Sequence, residues 1–252
     1  MVVRIVLATL AVAGCSFEHG LVAQPDAQSA DPSADAGAAP RTCKYPDPAL
    51  RLCIEFDDKV FSPVATDLSP YGLNAKTSHV TEWQRGGQPA AATSVLDESQ
   101  LKVDEHAMLD ITPAITLETW VNVPIYHFAA LVGNYTQYGM TLDSEGRIAC
   151  RIGSLTATTP QSIGTGTWRH VACVFDGQAL RVYVDGAPQA CRSQQLAIPI
   201  AGTQGTWLAY SYTGALDDIR IYARALAATE ICSHADKTSC VSACPSGGRG
   251  GD

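Results

Sequence analysis

The sequence predicts an all-β protein whose strands pair into antiparallel sheets, and three observations support this fold class. Short runs of alternating apolar and polar residues recur along the chain, separated by Gly, Pro, Asp and Asn. No long amphipathic helix pattern interrupts them. The segment Trp168–Gly186 reads as a complete hairpin, with alternating runs on either side of Asp176 and Gly177. Because strands with one apolar face must cover it, we expect two sheets packed as a sandwich.

The other elements follow in chain order and account for most of residues 50–233. Ser144, Glu145 and Gly146 form the turn of a second hairpin. We predict a first strand at Leu52–Phe56, a loop at Asp67–Asn74 and a central strand at Ile115–Val123. The two strands of this hairpin are predicted at Tyr138–Asp143 and Arg147–Ile152. A closing strand at Gly214–Tyr222 and a short helical turn at Ala223–Ile231 follow.

Several of these segments resemble motifs of the laminin-G-like family, whose members are jelly rolls of the concanavalin A-like type. The Trp168–Gly186 hairpin resembles the family motif W-x-H-V-A…D-G…L-x-Y-V-D-G. Gly214–Tyr222 resembles G-x-I-D-D-V-R-I-Y, and Ala223–Ile231 resembles R-A-L-s-x-x-E-I. The resemblance implies a two-sheet antiparallel jelly-roll sandwich. Such folds include lectins, glycosidases and adhesion modules, so the fold alone leaves the function open.

The N-terminal residues resemble a bacterial lipoprotein signal. Arg4 precedes the apolar run Ile5–Ala13, which is too short to span a membrane. The resemblance implies that residues 1–14 are a signal peptide and that Cys15 carries the lipid. A residue other than Asp after this cysteine, here Ser16, implies the outer membrane or cell surface. The alternative is an ordinary secretory signal with an unrelated cysteine at position 15.

Composition divides the remaining chain into three parts. Residues 15–42 are rich in Ala, Pro, Asp and Ser without apolar periodicity, and are predicted to form a disordered acidic linker. Residues 43–234, about 190 in number, suit one large β domain. Residues 235–252 form a Cys-containing, Gly-rich tail. The net charge of −8 disfavours nucleic acid as a partner but is compatible with divalent cations and neutral glycans.

Nine cysteines constrain the domain further. With Cys15 assigned to the lipid, an even set of eight in an exported chain predicts disulfides rather than zinc ligands. Three of them lie in the middle of the chain: Cys150, Cys173 and Cys191. Five lie near the ends of the domain: Cys43, Cys53, Cys232, Cys240 and Cys244. Because both numbers are odd, complete pairing needs at least one disulfide between the two groups. Cys150 and Cys173 occupy apolar slots of their strands and are the predicted internal pair, as neighbours on one sheet face.

The sequence contains no recognisable catalytic arrangement. Glycosidases of this architecture carry an E-x-D-x-x-E strand with two catalytic carboxylates. The nearest string begins at Glu55 on the first strand and has Val60 in place of the second glutamate. His170 lies in the hairpin motif and is interpreted as a structural histidine. We therefore predict no enzyme activity, with a divergent polysaccharide hydrolase as the alternative.

Two candidate binding sites remain. Relatives of this fold hold a structural Ca²⁺ at the sandwich edge, and Asp217 matches the carboxylate that would ligate it. The alternative is that Asp217 accepts hydrogen bonds in a turn. Strand alternation also places Glu118, Trp120 and Asn122 on the face opposite the core, where a sugar could stack. The alternative there is that Trp120 is packed between strands or under a loop.

Together these features predict a non-catalytic binding or adhesion module, exported and anchored to the outer membrane or cell surface by its lipid. Its predicted partner is a glycan or a cell-surface protein, with Ca²⁺ as a possible structural cofactor and no nucleic acid. A purely structural envelope lipoprotein is the remaining alternative, for which a flat sheet face without a cleft is expected.

Overall fold

The structure is a computed structural model that describes residues 43, 47–57, 63–78, 80–86, 88–93, 100–134, 136–199 and 205–245. The predicted signal peptide (1–14), the predicted lipidation site Cys15, the linker (15–42) and residues 246–252 of the tail lie outside this part of the chain. Of the helices in the described residues, none has the length and apolar character needed to cross a membrane.

Strands dominate the described residues, as the alternating pattern predicts. Sixteen strands, one 3-10 helical turn (Ala107–Leu109, between β6 and β7) and one short α-helix occur in the described residues. In chain order the strands and the α-helix are β1 (Leu50–Ile54), β2 (Val64–Ala65), β3 (Ala75–Ser78), β4 (Thr81–Arg85), β5 (Gln88–Thr93), β6 (Gln100–Val103), β7 (Ile115–Asn122), β8 (Ala129–Asn134), β9 (Tyr138–Leu142), β10 (Ile148–Ile152), β11 (Leu155–Thr158), β12 (Trp168–Phe175), β13 (Ala179–Val184), β14 (Ala187–Ser193), β15 (Thr206–Tyr210), β16 (Gly214–Tyr222) and α1 (Ala228–His234).

The strands form two antiparallel sheets. The back sheet has the order β14-β13-β12-β7-β16-β5-β4, with β1 also paired to β16. The front sheet has the order β11-β10-β9-β8-β15-β6-β3-β2. Half of the neighbouring strand pairs join strands that are not consecutive in the chain, so crossovers between the sheets build a jelly-roll sandwich and the predicted fold class is confirmed.

The core lies between the sheets, where apolar side chains from both inner faces meet. Leu117 and Val171 of the back sheet and Met140 of the front sheet are fully buried there. Cys150 and Cys173 form the disulfide that their apolar slots predict. The expected geometry was wrong, however, because β10 and β12 belong to different sheets and the bridge crosses the core instead of joining neighbouring strands.

The other disulfides fasten the segments that flank the back sheet. The pairs are Cys43–Cys53, Cys191–Cys244 and Cys232–Cys240. The bridge from Cys191 to Cys244 is the connection between mid-chain and domain end that counting requires.

A second apolar cluster covers the outer face of the back sheet. It packs Tyr183 and Tyr222 of that face against Leu226 and Ile231. Helix α1 begins five residues later than the predicted helical turn at 223–231. The segment before it is held non-helical because the Leu226 N–H donates to Thr116 Oγ1 at 3.0 Å.

Candidate functional site

A cavity of about 400 Å³ opens on the outer face of the front sheet. Its position follows from the strand register, which aligns side chains of neighbouring strands into rows across the sheet. One row runs from β15 to β11 and lines the cavity: Trp207, Gly133, Gly139, Arg151 and Thr156. The side chains of Trp207 and Arg151 therefore face each other across two glycines.

The two glycines form the floor of a trough that we call the front groove. A Cβ on Gly133 would lie 2.9 Å from the Cα of Gly139, closer than the packed strands allow. Nη2 of Arg151 lies 3.9 Å from the place that a Cβ on Gly139 would occupy, so the guanidinium covers part of this floor. Because the two glycines themselves contribute no side chains, a ligand can approach the backbone beside the guanidinium.

Aromatic side chains line one wall of the front groove. The rings of Trp207 and Tyr210 lie 5.3 Å apart at an angle of 59°. Nζ of Lys102, the cross-strand neighbour of Trp207, lies 4.4 Å from the centre of the indole ring. Phe128, in the loop before β8, is 65% exposed at the rim. This wall offers the flat apolar surfaces that suit the apolar faces of sugar rings.

Polar side chains line the opposite part of the groove. Nη1 of Arg151 donates a hydrogen bond to the carbonyl oxygen of Gly153 at 3.1 Å. Asn134 is 1% exposed, and neither its amide nitrogen nor its oxygen has a hydrogen-bond partner among the described residues. Its cross-strand neighbour is the core residue Tyr138, so the Asn134 side chain lies on the inner face of the sheet and not in the groove.

On the back sheet the structure corrects the predicted open platform. Glu118 is 0% exposed, Trp120 is 8% exposed and Asn122 is half-buried. Helix α1 covers Glu118 through His234, whose Nδ1 lies 2.8 Å from Oε1 of the glutamate. Cζ of Arg85 lies 4.5 Å from the ring centre of Trp120. The alternation correctly placed these residues on the outer face, but segments distant in the chain close that face.

Glu118 is the centre of a buried ionic cluster. Nε2 of His170 lies 3.5 Å from its Oε2, and Nη1 of Arg220 lies 3.6 Å from its Oε1. Burial opposes ionisation of this carboxyl, but His234 and His170 outweigh burial and hold its pKa well below the usual range. The cluster therefore ties helix α1 to the middle of the back sheet.

Asp217, the predicted calcium ligand, already has partners for both carboxylate oxygens. Nε of Arg85 lies 2.5 Å from its Oδ2, and the Asp218 N–H donates to its Oδ1 at 2.9 Å. Burial and the Asp218 carboxylate raise the pKa of Asp217 to about 7, although Arg85 acts in the opposite direction. Calcium would have to compete with this guanidinium, and its binding at Asp217 stays a prediction.

One further grouping of metal-ligating side chains occurs within the described ranges. It consists of two bridged cysteines and a carboxylate: Cys43, Cys53 and Glu55. Because the two sulfurs are bonded to each other, this grouping lacks the thiolates that bind metals.

The fold and the front groove define a jelly-roll domain with one open, cleft-bearing sheet face. Residues 97–232, more than half of the chain, match the Laminin_G_3 family, described as the concanavalin A-like lectin/glucanases superfamily. The chain belongs to this family, as the hairpin and closing-strand motifs imply. No curated protein matches the sequence.

Solved structures share the fold at low identity. The binding domain of Paraclostridial Mosquitocidal Protein 1 is 17% identical, with a TM-score of 0.62 over 73% of this chain and 51% of that one. Domain 4 of AbnA, a GH43 extracellular arabinanase from Geobacillus stearothermophilus solved with arabinotriose, is 17% identical, with a TM-score of 0.57 over 74% and 98%. Trypanosoma rangeli sialidase is 13% identical, with a TM-score of 0.56 over 75% and 33%. The chain thus spans about half of the toxin domain and a third of the sialidase.

The front groove was missed by sequence reasoning. Alternation in Arg147–Ile152 puts Ile148 and Ile152 inward and therefore Arg151 outward, which is a signal that points to it. Trp207 lies in a run with the same alternation. That the two residues face each other could not be inferred, because β15 and β10 are separated by two intervening strands in the sheet.

Proposed function

We propose that this protein is a non-catalytic binding module whose front groove binds a glycan. The observation that carries this proposal is the row in which Trp207 and Arg151 face each other across two glycines. A sugar ring has apolar faces and a polar rim, so it requires an aromatic wall beside hydrogen-bonding groups. The cavity volume of about 400 Å³ is within the range of small-ligand sites.

The similar structures support a binding role. Two of the three described above are a toxin binding domain and an arabinanase domain solved with arabinotriose. At such low identity they support the fold and a binding role, and they identify no particular sugar for this chain. The proposed partner includes a cell-surface protein that carries the same glycan.

The lining of the groove disfavours the hydrolase alternative. Glycoside hydrolysis uses two carboxylates, about 5–10 Å apart, on either side of the scissile bond. Among the described residues that line the cavity, none is Asp or Glu. The purely structural alternative expects a flat sheet face, whereas the front sheet has a cleft.

The proposed setting is the outer membrane or cell surface, with Cys15 carrying the lipid anchor. Four disulfides in the described domain support export, because such bonds persist in oxidising compartments. Detection of acylated Cys15 by mass spectrometry of membrane fractions would test the anchor.

A glycan array probed with the domain and with Trp207→Ala tests the binding role. We expect saccharide binding by the wild type and at least a tenfold loss in Trp207→Ala, because the stacking wall is removed. Trp168→Ala is the matched control, since Trp168 is a partly exposed tryptophan of the back sheet. A blank array, or equal losses in both variants, would contradict the proposal.

A further inference from the structure

We infer that the glycan bound in the front groove is acidic, and that Arg151 reads a carboxylate on one of its sugars. This inference rests on the proposed glycan-binding function and names the ligand class. It follows from the charge of the groove and the placement of the guanidinium.

The charge of the groove is opposite to that of the chain. The chain has 25 Asp and Glu residues against 17 Lys and Arg. Of the 13 described residues that line the cavity, Arg151 is the one charged residue. Lys102 adds a second cation beside Trp207 at the wall. A cavity that is lined by a cation and by no Asp or Glu attracts an anionic ligand, because a low-dielectric cleft focuses the local field.

The position of Arg151 suits recognition of a carboxylate. It stands in the middle of the three-strand unit β9-β10-β11, opposite Gly139 on one side and Thr156 on the other. The hydrogen bond from Nη1 to Gly153 holds the guanidinium across the glycine floor. A guanidinium has five N–H donors arranged as a planar fork, which matches the two oxygens of a carboxylate.

Thr156 provides a second polar contact. It lines the same cavity, is exposed, and is the cross-strand neighbour of Arg151. A hydroxyl both donates and accepts, so it can bind an adjacent sugar hydroxyl. Trp207 then faces the ring of the same sugar or of its neighbour.

The test compares acidic oligosaccharides with their carboxyl-reduced counterparts. The probes are trimers of galacturonic, glucuronic and mannuronic acid and an α-linked sialic acid trimer, each beside its neutral, carboxyl-reduced form. Binding is measured by calorimetry on the wild type, Arg151→Gln and Trp207→Ala. Arg181→Gln is the control, because it removes the same charge from the back sheet, where Arg181 pairs with Asp176 at 2.7 Å.

We expect at least one acidic probe to bind about tenfold or more tightly than its reduced form, a difference that falls with added salt. Arg151→Gln should abolish this preference while retaining binding of the reduced probe, and Arg181→Gln should keep the preference. Thermal unfolding of each variant checks that the fold is intact.

The two proposals fail in different ways. Equal binding of acidic and reduced probes, lost in Trp207→Ala, would overturn the acidic ligand and leave glycan binding in place. A preference for acidic probes that survives in Arg151→Gln would overturn the role of Arg151. Absence of binding for every probe and for the glycan array would overturn both.

Discussion

Replacing Glu118 with Gln is expected to lower the free energy of unfolding by about 3–5 kcal/mol, the usual effect of removing one partner from a buried ion pair. Gln has nearly the same volume, so the loss reports charge rather than packing. The variant leaves the buried Arg220 and the partly buried His234 beside a neutral amide. Urea unfolding at pH 7 measures the change.

The exposed Glu82 of β4 provides the matched control. Glu82→Gln should change the unfolding free energy by less than about 0.5 kcal/mol, as surface substitutions do. A double-mutant cycle with His234→Gln isolates the contact between helix α1 and the sheet. A coupling energy near zero would contradict the role given to the 2.8 Å contact.

The pH dependence of this effect has a definite sign. The pKa of Glu118 is lower in the folded protein than the ordinary carboxyl value of 4.5. The ionised carboxylate therefore stabilises the fold fully above that value, and its contribution is lost as the pH falls toward the folded pKa. The gap between wild type and Glu118→Gln should shrink between pH 6 and pH 3. A gap that is constant over this range would argue against an ionised Glu118.

Removing the bridge between Cys150 and Cys173 by a double substitution to Ala should cost about 3 kcal/mol or more. The two residues are 23 positions apart, and opening a loop of this size restores entropy to the unfolded chain. The substitution also removes two sulfur atoms from the buried space between the sheets, which adds a packing loss. Urea or thermal unfolding measures both effects together.

The double substitution of Cys232 and Cys240 is the comparison. Their bridge spans 8 positions, so its entropic contribution is smaller by about 1 kcal/mol. We expect it to free the tail more than the sandwich. A larger loss from this pair than from Cys150 and Cys173 would show that the covered back face, and not the core, limits stability.

The local structure was predicted well from the sequence because strand alternation and turn chemistry depend on neighbouring residues. The hairpin from Trp168 to Gly186 appears as β12 and β13, and the central strand ends one residue before its predicted limit at Val123. The Cys150–Cys173 pair also followed from alternation, although alternation alone cannot say whether two inward slots share a sheet or face each other across the core.

The sequence did not predict which outer sheet face is covered by other segments of the chain. Glu118 and Trp120 were assigned to the outer face correctly, yet helix α1 returns from 116 positions away to bury Glu118 beneath His234. Nothing near Glu118 in the chain signals this contact. The front groove depends in the same way on β15 pairing with β8, which brings Trp207 beside Gly133.

By itself, therefore, the sequence determined the all-β class, the inward face of the main strands and the central disulfide, because each arises from a period of two residues or from local turns. The tertiary structure alone decided that the back sheet is closed and the front sheet is open. That decision depends on contacts between residues far apart in the chain, and it moved the candidate site from Glu118, Trp120 and Asn122 to the groove between Trp207 and Arg151.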